Sequence, residues 1–313
     1  VEAAIKTENL VKIYRGKGKS WARPVYALKE LNLDIGEGGI FGFIGPNGAG
    51  KTTTIKILMG LISPTSGSAT IMGHPAGSVE AKKQVGFLSE VAYYYPFMEV
   101  GKLLDFYCSF YEIPPSRRRE QIEKVLGLVS LSDKINARMS DLSKGMAQRF
   151  GIAQAIIANP PILILDELTS GLDPIAQKEV KDIVLSLKNQ GKTIFFSSHQ
   201  MTEVENICDR IGIIHKGVMK KCAGLDEFLK EESGGLSKII FEAAGELLNE
   251  LKGRAPDVEQ VRLGVYSLIL PEADVAQLND SIRQKGARVI EISSYRYSLE
   301  DAFFKLIKED EEE

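Results

Sequence analysis

Gly45-Pro46-Asn47-Gly48-Ala49-Gly50-Lys51-Thr52 is the stretch that most restricts how this chain can fold. It satisfies G-x-x-x-x-G-K-[ST] at every specified position. Its flanks agree: Ile40-Phe41-Gly42-Phe43-Ile44 is a short apolar run suited to a buried strand, and Thr53 to Met59 reads as an amphipathic helix. Strand, glycine-rich turn and helix in that order form a cradle for phosphate. The glycines admit positive φ and let backbone N–H groups approach phosphate oxygens. The helix N-terminus adds partial positive charge at the same place. Lys51 is expected to neutralise β- and γ-phosphates, and the Thr52 hydroxyl to ligate Mg²⁺. Gly45, Pro46, Asn47, Gly48, Ala49, Gly50, Lys51, Thr52 and Thr53 are thus expected to hold a nucleotide.

At 313 residues the chain has room for one large domain and one small one. An apolar fraction of 44% supports a full hydrophobic core. A net charge of −3 weighs against a general affinity for nucleic acid. Cys108, Cys208 and Cys222 have neither pairing nor metal-ligand spacing, which suits a reducing cytosol. Charged residues or glycine interrupt each apolar run before it reaches membrane-spanning length. No signal-peptide pattern is present, and the start at Val1 is expected from loss or trimming of an initiator Met. Any membrane connection is therefore expected to run through a partner.

Along the chain, Ile5–Tyr14 and Leu28–Ile35 alternate as strands. Between them lies a loop with Arg15, Lys17, Lys19 and Arg23, read as a solvated hairpin loop or a basic lip near nucleotide or anionic lipid headgroups. Short strands are expected at Ser68–Met72 and Val85–Leu88, with His74 structural in a turn. From Val91 to about Asn159 helical periodicity replaces strand signals, as in a helical insertion. Within it Tyr93-Tyr94-Tyr95-Pro96-Phe97 is either helix-packing core or a docking groove for a partner. Ile162–Leu165 and Thr193–Phe196 read as central parallel strands separated by a helix over 176–189. Arg210–Met219 reads as a hairpin turning at Lys216-Gly217.

Glu231-Glu232-Ser233-Gly234-Gly235 is the strongest boundary signal. It sets a domain over 1–230, a second over 236–308 and a solvated acidic tail over 309–313. The second domain is expected to run strand (Lys238–Glu242), helix (Glu246–Lys252), two strands (Val258–Leu270), helix (Val275–Lys285), strand (Arg288–Ile292) and helix (Leu299–Ile307). That order suggests a two-layer α/β, ferredoxin-like sandwich.

Further residues narrow the chemistry. Asp166-Glu167 closes an apolar strand and offers a carboxylate for Mg²⁺ beside a base for an attacking water. His199 ends the next strand, where it can sense a γ-phosphate. Phosphoryl transfer is mostly positioning and charge neutralisation, so a lysine, a metal, a base and a sensor suffice. Parallel strands ending in the Gly-loop, the carboxylates and the histidine bring all three to one sheet edge, where such folds bind ligands. Ser143 and Gly145, in Leu142-Ser143-Lys144-Gly145-Met146-Ala147-Gln148, stand at a second helix N-terminus. A second anion site in one chain points to service in another copy.

Together these motifs resemble the ATP-binding subunit of an ABC transporter over residues 4 to about 222. Leu142–Gln148 looks like a variant of the LSGGQ signature, with Lys144 and Met146 as departures. Asp166-Glu167 is similar to the Walker B end, Gly171-Leu172-Asp173 to the D-loop and His199 to the switch histidine. Tyr14 stands where the family stacks an aromatic on adenine, or is simply an edge-strand tyrosine. Glu90 stands where the Q-loop usually has Gln and is expected to reach Mg²⁺ or its water shell. The resemblance implies an α/β P-loop NTPase cassette with a RecA-like parallel core, an antiparallel β subdomain and a helical insertion. It also implies ATP and Mg²⁺ as cofactors, catalysis by Glu167 and His199, and head-to-tail dimers with ATP between one phosphate loop and the other copy's Ser143 and Gly145. Partners would be a second cassette and transmembrane permease subunits at the cytoplasmic face of the membrane, with no nucleic acid. Gly86–Glu90 and Ser298–Phe304 look like bacterial or archaeal exporter subunits carrying a short C-terminal domain. An importer ATPase with a regulatory C-terminal domain is the alternative, and a soluble ABC-type ATPase acting on ribosomes or nucleic acid is a third reading.

Overall fold

The apolar runs beside the glycine loop become central strands of a sheet. The computed structural model describes residues 3–15, 24–242 and 258–312. The strands are β1 (Ile5–Tyr14), β2 (Val25–Ile35), β3 (Gly39–Ile44), β4 (Ser66–Ile71), β5 (His74–Pro75), β6 (Val85–Leu88), β7 (Ile162–Asp166), β8 (Thr193–Ser198), β9 (Arg210–His215) and β10 (Val218–Gly224). The helices are α1 (Lys51–Leu58), α2 (Val79–Lys83), α3 (Val100–Phe110), α4 (Pro115–Leu128), α5 (Lys144–Ile156), α6 (Pro174–Asn189) and α7 (Met201–Ile207). This part, through Gly224, is one compact unit, and Leu225 onward is a second.

In the first unit, one sheet runs β10-β9-β3-β8-β7-β6 and another runs β2-β1-β4-β5. Strands β9, β3, β8, β7 and β6 are mutually parallel, and β10 joins β9 antiparallel through the Lys216-Gly217 turn. Strands β7 and β8 are buried along their whole length, as continuous apolar runs in a doubly covered sheet must be. The second sheet is antiparallel and alternates in and out, so it covers the core on one face only. Leu31, Leu33, Phe43, Ile55, Leu58, Ile164, Phe195 and Ile214 form one core shared by both sheets and α1. The Phe195 ring packs against Phe41 and Phe43 at 5.8 and 5.3 Å between centroids.

Parallel order determines what meets at the carboxyl edge. The glycine loop leaves β3, His199 follows β8, Asp166-Glu167 closes β7 and Glu90 follows β6. Because β3, β8, β7 and β6 are successive neighbours, these groups come together although the chain between them is long. Ile44 pairs with Ser198, Asp166 with Ser197 and Leu88 with Leu165, so the strand ends are level. Helices α3, α4 and α5 fill the expected insertion. The aromatic run preceding them is not helical: Tyr94 is half-buried, edge-on against Phe150 at 4.9 Å, whereas Tyr93, Tyr95 and Phe97 are exposed. Core packing therefore explains only Tyr94.

The second unit begins with α8 (Leu225–Ser233), followed by β11 (Leu236–Glu242), β12 (Glu259–Arg262), β13 (Val265–Pro271), α9 (Glu272–Gln284), β14 (Arg288–Ser294) and α10 (Leu299–Glu312). Its sheet is antiparallel, in the order β12-β13-β11-β14. That is the strand order of a split β-α-β sheet. The expected helix over 246–252 lies outside the described residues. Ile239, Phe241, Leu268 and Ile282 form the core. The division falls at Gly224/Leu225 instead of within 231–235, because Glu231–Ser233 is the last turn of α8. Gly234 and Gly235, at φ 51° and 70°, stop that helix, and α8 is anchored inside the second unit. Arg296 pairs with Asp226 at 2.7 Å, Lys305 with Glu232 at 3.0 Å, and the Tyr297 N–H donates to Ser233 Oγ at 3.0 Å.

Candidate nucleotide site

The glycine loop sits on the β9–β10 hairpin. The Gly217 N–H donates to the Ala49 carbonyl at 2.9 Å, and a Cβ on Gly45 would collide with the Ile214 carbonyl, so only glycine fits there. Gly50, at φ 120°, begins α1 without a side-chain cap, and the first turn of α1 carries no acidic residue. Its N–H groups are thus left for an anion. Lys51 is 5% exposed and folds back to donate to the Gly45 carbonyl at 2.6 Å. Its ammonium lies 3.6 Å from Glu167 Oε1, inside a pocket walled by Ala27, Pro46, Asn47, Gly48, Gly50, Thr52, Thr53, Glu90, Glu167 and His199.

Glu167 faces Lys51 through one oxygen, while its Oε2 is 2.6 Å from His199 Nδ1. The Glu167 side chain is buried and its backbone is left-handed at φ 50°, an uncommon conformation for a residue other than glycine. Ser197 holds that bend. The Glu167 N–H reaches both the Ser197 carbonyl (3.1 Å) and its hydroxyl oxygen (3.2 Å), while the same hydroxyl donates to Asp166 Oδ1. Burial pushes the Asp166 carboxyl above its ordinary range. Ser197's hydrogen bond and Lys51 oppose the shift, whereas the charges of Glu167 and Glu90 add to it.

Other expected site residues lie elsewhere. Ser143 is exposed and caps α5 by accepting the Met146 N–H at 3.2 Å. Ser143 and Gly145 do not line the pocket of their own chain. A Cβ on Gly145 would stand 2.8 Å from Ala176 Cβ, so this glycine lets α5 approach α6 closely. Asp173 caps α6, accepting the N–H groups of Ile175 and Ala176, each at 3.0 Å. Lys144 lays its ammonium against Gly171, between the two caps. Tyr14 is 40% exposed beneath the Lys12 ammonium, 5.3 Å from its ring centroid, and is not a wall of the pocket. Asp166 lies behind Glu167, held by Ser197.

Sequence reasoning missed Ala27, Ser197 and Glu203, and placed Gln148 in the signature-like segment without its contact. Gln148 donates to the Leu168 carbonyl at 2.6 Å, tying α5 to the segment after Glu167. Ser197 stands beside Asp166 because β7 and β8 pair Ile162 with Thr193, a register that the sequence alone does not state.

The site's chemistry agrees with the relatives of the whole chain. The ABC transporter family matches residues 28–170. The bacitracin transport ATP-binding protein BcrA of Bacillus licheniformis is 35% identical over 307 residues, covering 97% of each chain. This chain belongs to the ABC transporter ATP-binding proteins. The Nod factor export ATP-binding protein I of Cupriavidus pinatubonensis is 32% identical over 283 residues, spanning 89% of this chain and 85% of its own. Among solved structures, the dimeric post-hydrolysis state of the ATP-binding cassette MJ0796, bound to ADP and Pi, superposes with a TM-score of 0.63 at 27% identity. It covers 71% of this chain and 98% of that one. This ABC ATPase thus has the P-loop cassette fold expected from the sequence. No described helix is long and apolar enough to cross a membrane.

Proposed function

We propose that this chain is the ATP-hydrolysing subunit of a membrane exporter, acting as a head-to-tail pair of cassettes docked on separate permease subunits. The carrying observation is the position of Ser143. It is exposed at a helix N-terminus, outside the pocket that holds Lys51, Glu167 and His199. Each phosphate loop would then be completed by Ser143 and Gly145 of the other copy, with Asp173 at the same seam. The unit that ends at Gly224 would serve as the cassette, and the smaller α/β unit of ferredoxin-like strand order would add dimer contacts or regulate the cycle.

Mg²⁺ fits this donor set. Thr52 and Glu90 line the pocket and Asp166 stands behind it, so the donors are all oxygens, as a hard cation requires. Among the described residues no group of three or more His, Cys, Asp or Glu side chains forms a metal site by itself. That suits an ion whose remaining ligands come from phosphate and water. When bound, Mg²⁺ supplies charge neutralisation for phosphoryl transfer. The chain's own residues do the rest. The Lys51 ammonium is pre-placed in the loop, and the uncapped α1 N–H groups orient an anion. The Glu167 carboxylate is positioned to accept a proton from water, and His199 Nδ1 at 2.6 Å holds that carboxylate in place.

Exposed Tyr93, Tyr95 and Phe97 favour the docking reading of the aromatic run, with a permease subunit as the occupant. The subunit would sit on the cytoplasmic face of the membrane through that contact. Export is supported by the Nod factor export relative and by the short second unit. The test is size-exclusion chromatography with light scattering on Glu167→Gln in ATP and Mg²⁺. A dimer that requires ATP is expected; a monomer under every nucleotide condition overturns the paired-cassette reading.

A further inference from the structure

Glu203 occupies the first turn of α7 and is not among the residues that wall the Lys51 pocket. Its Oε1 accepts the Thr169 hydroxyl, and its Oε2 accepts the Ser198 hydroxyl at 3.2 Å. Both hydroxyls are buried, Thr169 at 8% exposure and Ser198 at 1%. Ser198 Oγ also accepts the Gln200 N–H at 2.9 Å, so the residues on either side of His199 are pinned by one hydroxyl that Glu203 orients. Thr169 lies two residues beyond Glu167, in a turn closed by Ser170 N–H to Glu167 carbonyl (3.2 Å) and Leu172 N–H to Thr169 carbonyl (3.1 Å). One carboxylate therefore bridges the segment leaving Glu167 to the segment entering His199. In front, Glu167 and His199 meet directly at 2.6 Å.

We infer that Glu203 is a positioning residue for hydrolysis, which sets the Glu167–His199 separation by bridging Thr169 and Ser198. Buried hydroxyls are costly to leave unpaired, so the bridge is a stiff geometric constraint. It is also non-local, since Thr169 and Glu203 are 34 residues apart. Glu203 is absent from the pocket wall, so it acts on hydrolysis through Glu167 and His199 only. The Thr169–Asp173 turn and the His199 strand end would then move as one body. A base and its orienting partner lose catalytic power steeply when misplaced, whereas phosphate binding by the glycine loop does not use this bridge.

The inference rests on the chain hydrolysing ATP, so the wild type and Glu167→Gln are run beside the variants. Glu203→Ala is expected to lower kcat by about 10- to 100-fold while the KM for ATP and the affinity for a fluorescent ATP analogue stay within about 2-fold. Glu203→Gln retains a carbonyl acceptor and an amide that a rotated hydroxyl can pair with, so it should recover most of the lost kcat. Thr169→Val removes the hydroxyl at nearly constant shape; it should lower kcat in the same way and add nothing on top of Glu203→Ala. Wild-type kcat in Glu203→Ala, a parallel loss of nucleotide affinity, or additive effects in the Thr169→Val/Glu203→Ala pair would overturn the inference. A silent wild type would instead strike at the hydrolysis reading itself.

Discussion

His199 Nδ1 lies 2.6 Å from Glu167 Oε2, although the two residues are 32 positions apart. They meet because β7 and β8 are parallel neighbours whose ends are level, with Asp166 paired to Ser197. Replacing Glu167 by Gln keeps the shape and removes the carboxylate. Hydrolysis should fall by about 10²- to 10⁴-fold with ATP binding retained. His199→Ala should also lower kcat, and the double variant should be little worse than Glu167→Gln alone, as for groups that work as a unit. Steady-state phosphate release checks both. Multiplicative losses would show that the two side chains act independently.

Asp166 ties stability to pH with a definite sign. Burial, then Glu167 and Glu90, raise its carboxyl from the ordinary value of 3.8, against the opposing hydrogen bond from Ser197. The folded chain binds this proton more tightly than the unfolded chain. Its contribution to stability therefore falls as pH rises from the unfolded value through the raised folded one, and stays low at neutral pH. In metal-free protein at pH 7, Asp166→Asn should melt no lower than wild type while losing Mg²⁺-dependent ATPase activity. The Tm gap should close below about pH 4, where the carboxyl is protonated in both states. A variant that melts lower at pH 7 contradicts this assignment.

Glu90 lines the pocket, at the position where the sequence resemblance leads one to expect the Q-loop Gln. Its charge also contributes to the upward shift of Asp166. Glu90→Gln should retain ATP binding but shift the Mg²⁺ concentration needed for half-maximal hydrolysis upward, since one anionic oxygen is lost near the metal. ATPase titrations with Mg²⁺ decide this. Identical curves for the two proteins would remove Glu90 from the metal's surroundings.

Gly145 has a packing duty as well as an expected phosphate contact. A Cβ there would stand 2.8 Å from Ala176 Cβ, so α5 and α6 must part. Gly145→Ala should cost about 1–3 kcal/mol of stability and weaken ATP-dependent dimerisation. Adding Ala176→Gly relieves the clash, at about 1 kcal/mol for a helix glycine. Thermal melts should show the double variant above Gly145→Ala. If the second change lowers Tm further, the clash is not the cause.

Much of the site was legible because its chemistry is local. Gly45–Thr52 states its own turn, the adjoining strand and helix announce themselves by apolar spacing, and Asp166-Glu167 closes an apolar run. The Lys216-Gly217 turn was equally plain, since two successive left-handed residues define a tight hairpin. The second-unit boundary was less so. Gly234-Gly235 reads as a linker in sequence, but in the fold it stops α8, whose anchors Arg296, Tyr297 and Lys305 lie far along the chain.

The sequence by itself determined that this protein holds a triphosphate in a parallel α/β sheet, and which residue types attend it. Short-range patterns encode that, because each depends on φ/ψ freedom, side-chain period or charge within a few positions. Only the tertiary structure decided that one Ser197 hydroxyl serves Asp166 and Glu167 together, that Tyr93, Tyr95 and Phe97 are exposed while Tyr94 is not, and that Glu203 bridges Thr169 and Ser198. Those relations join residues tens of positions apart. They are settled by strand register and helix packing, which no local pattern records.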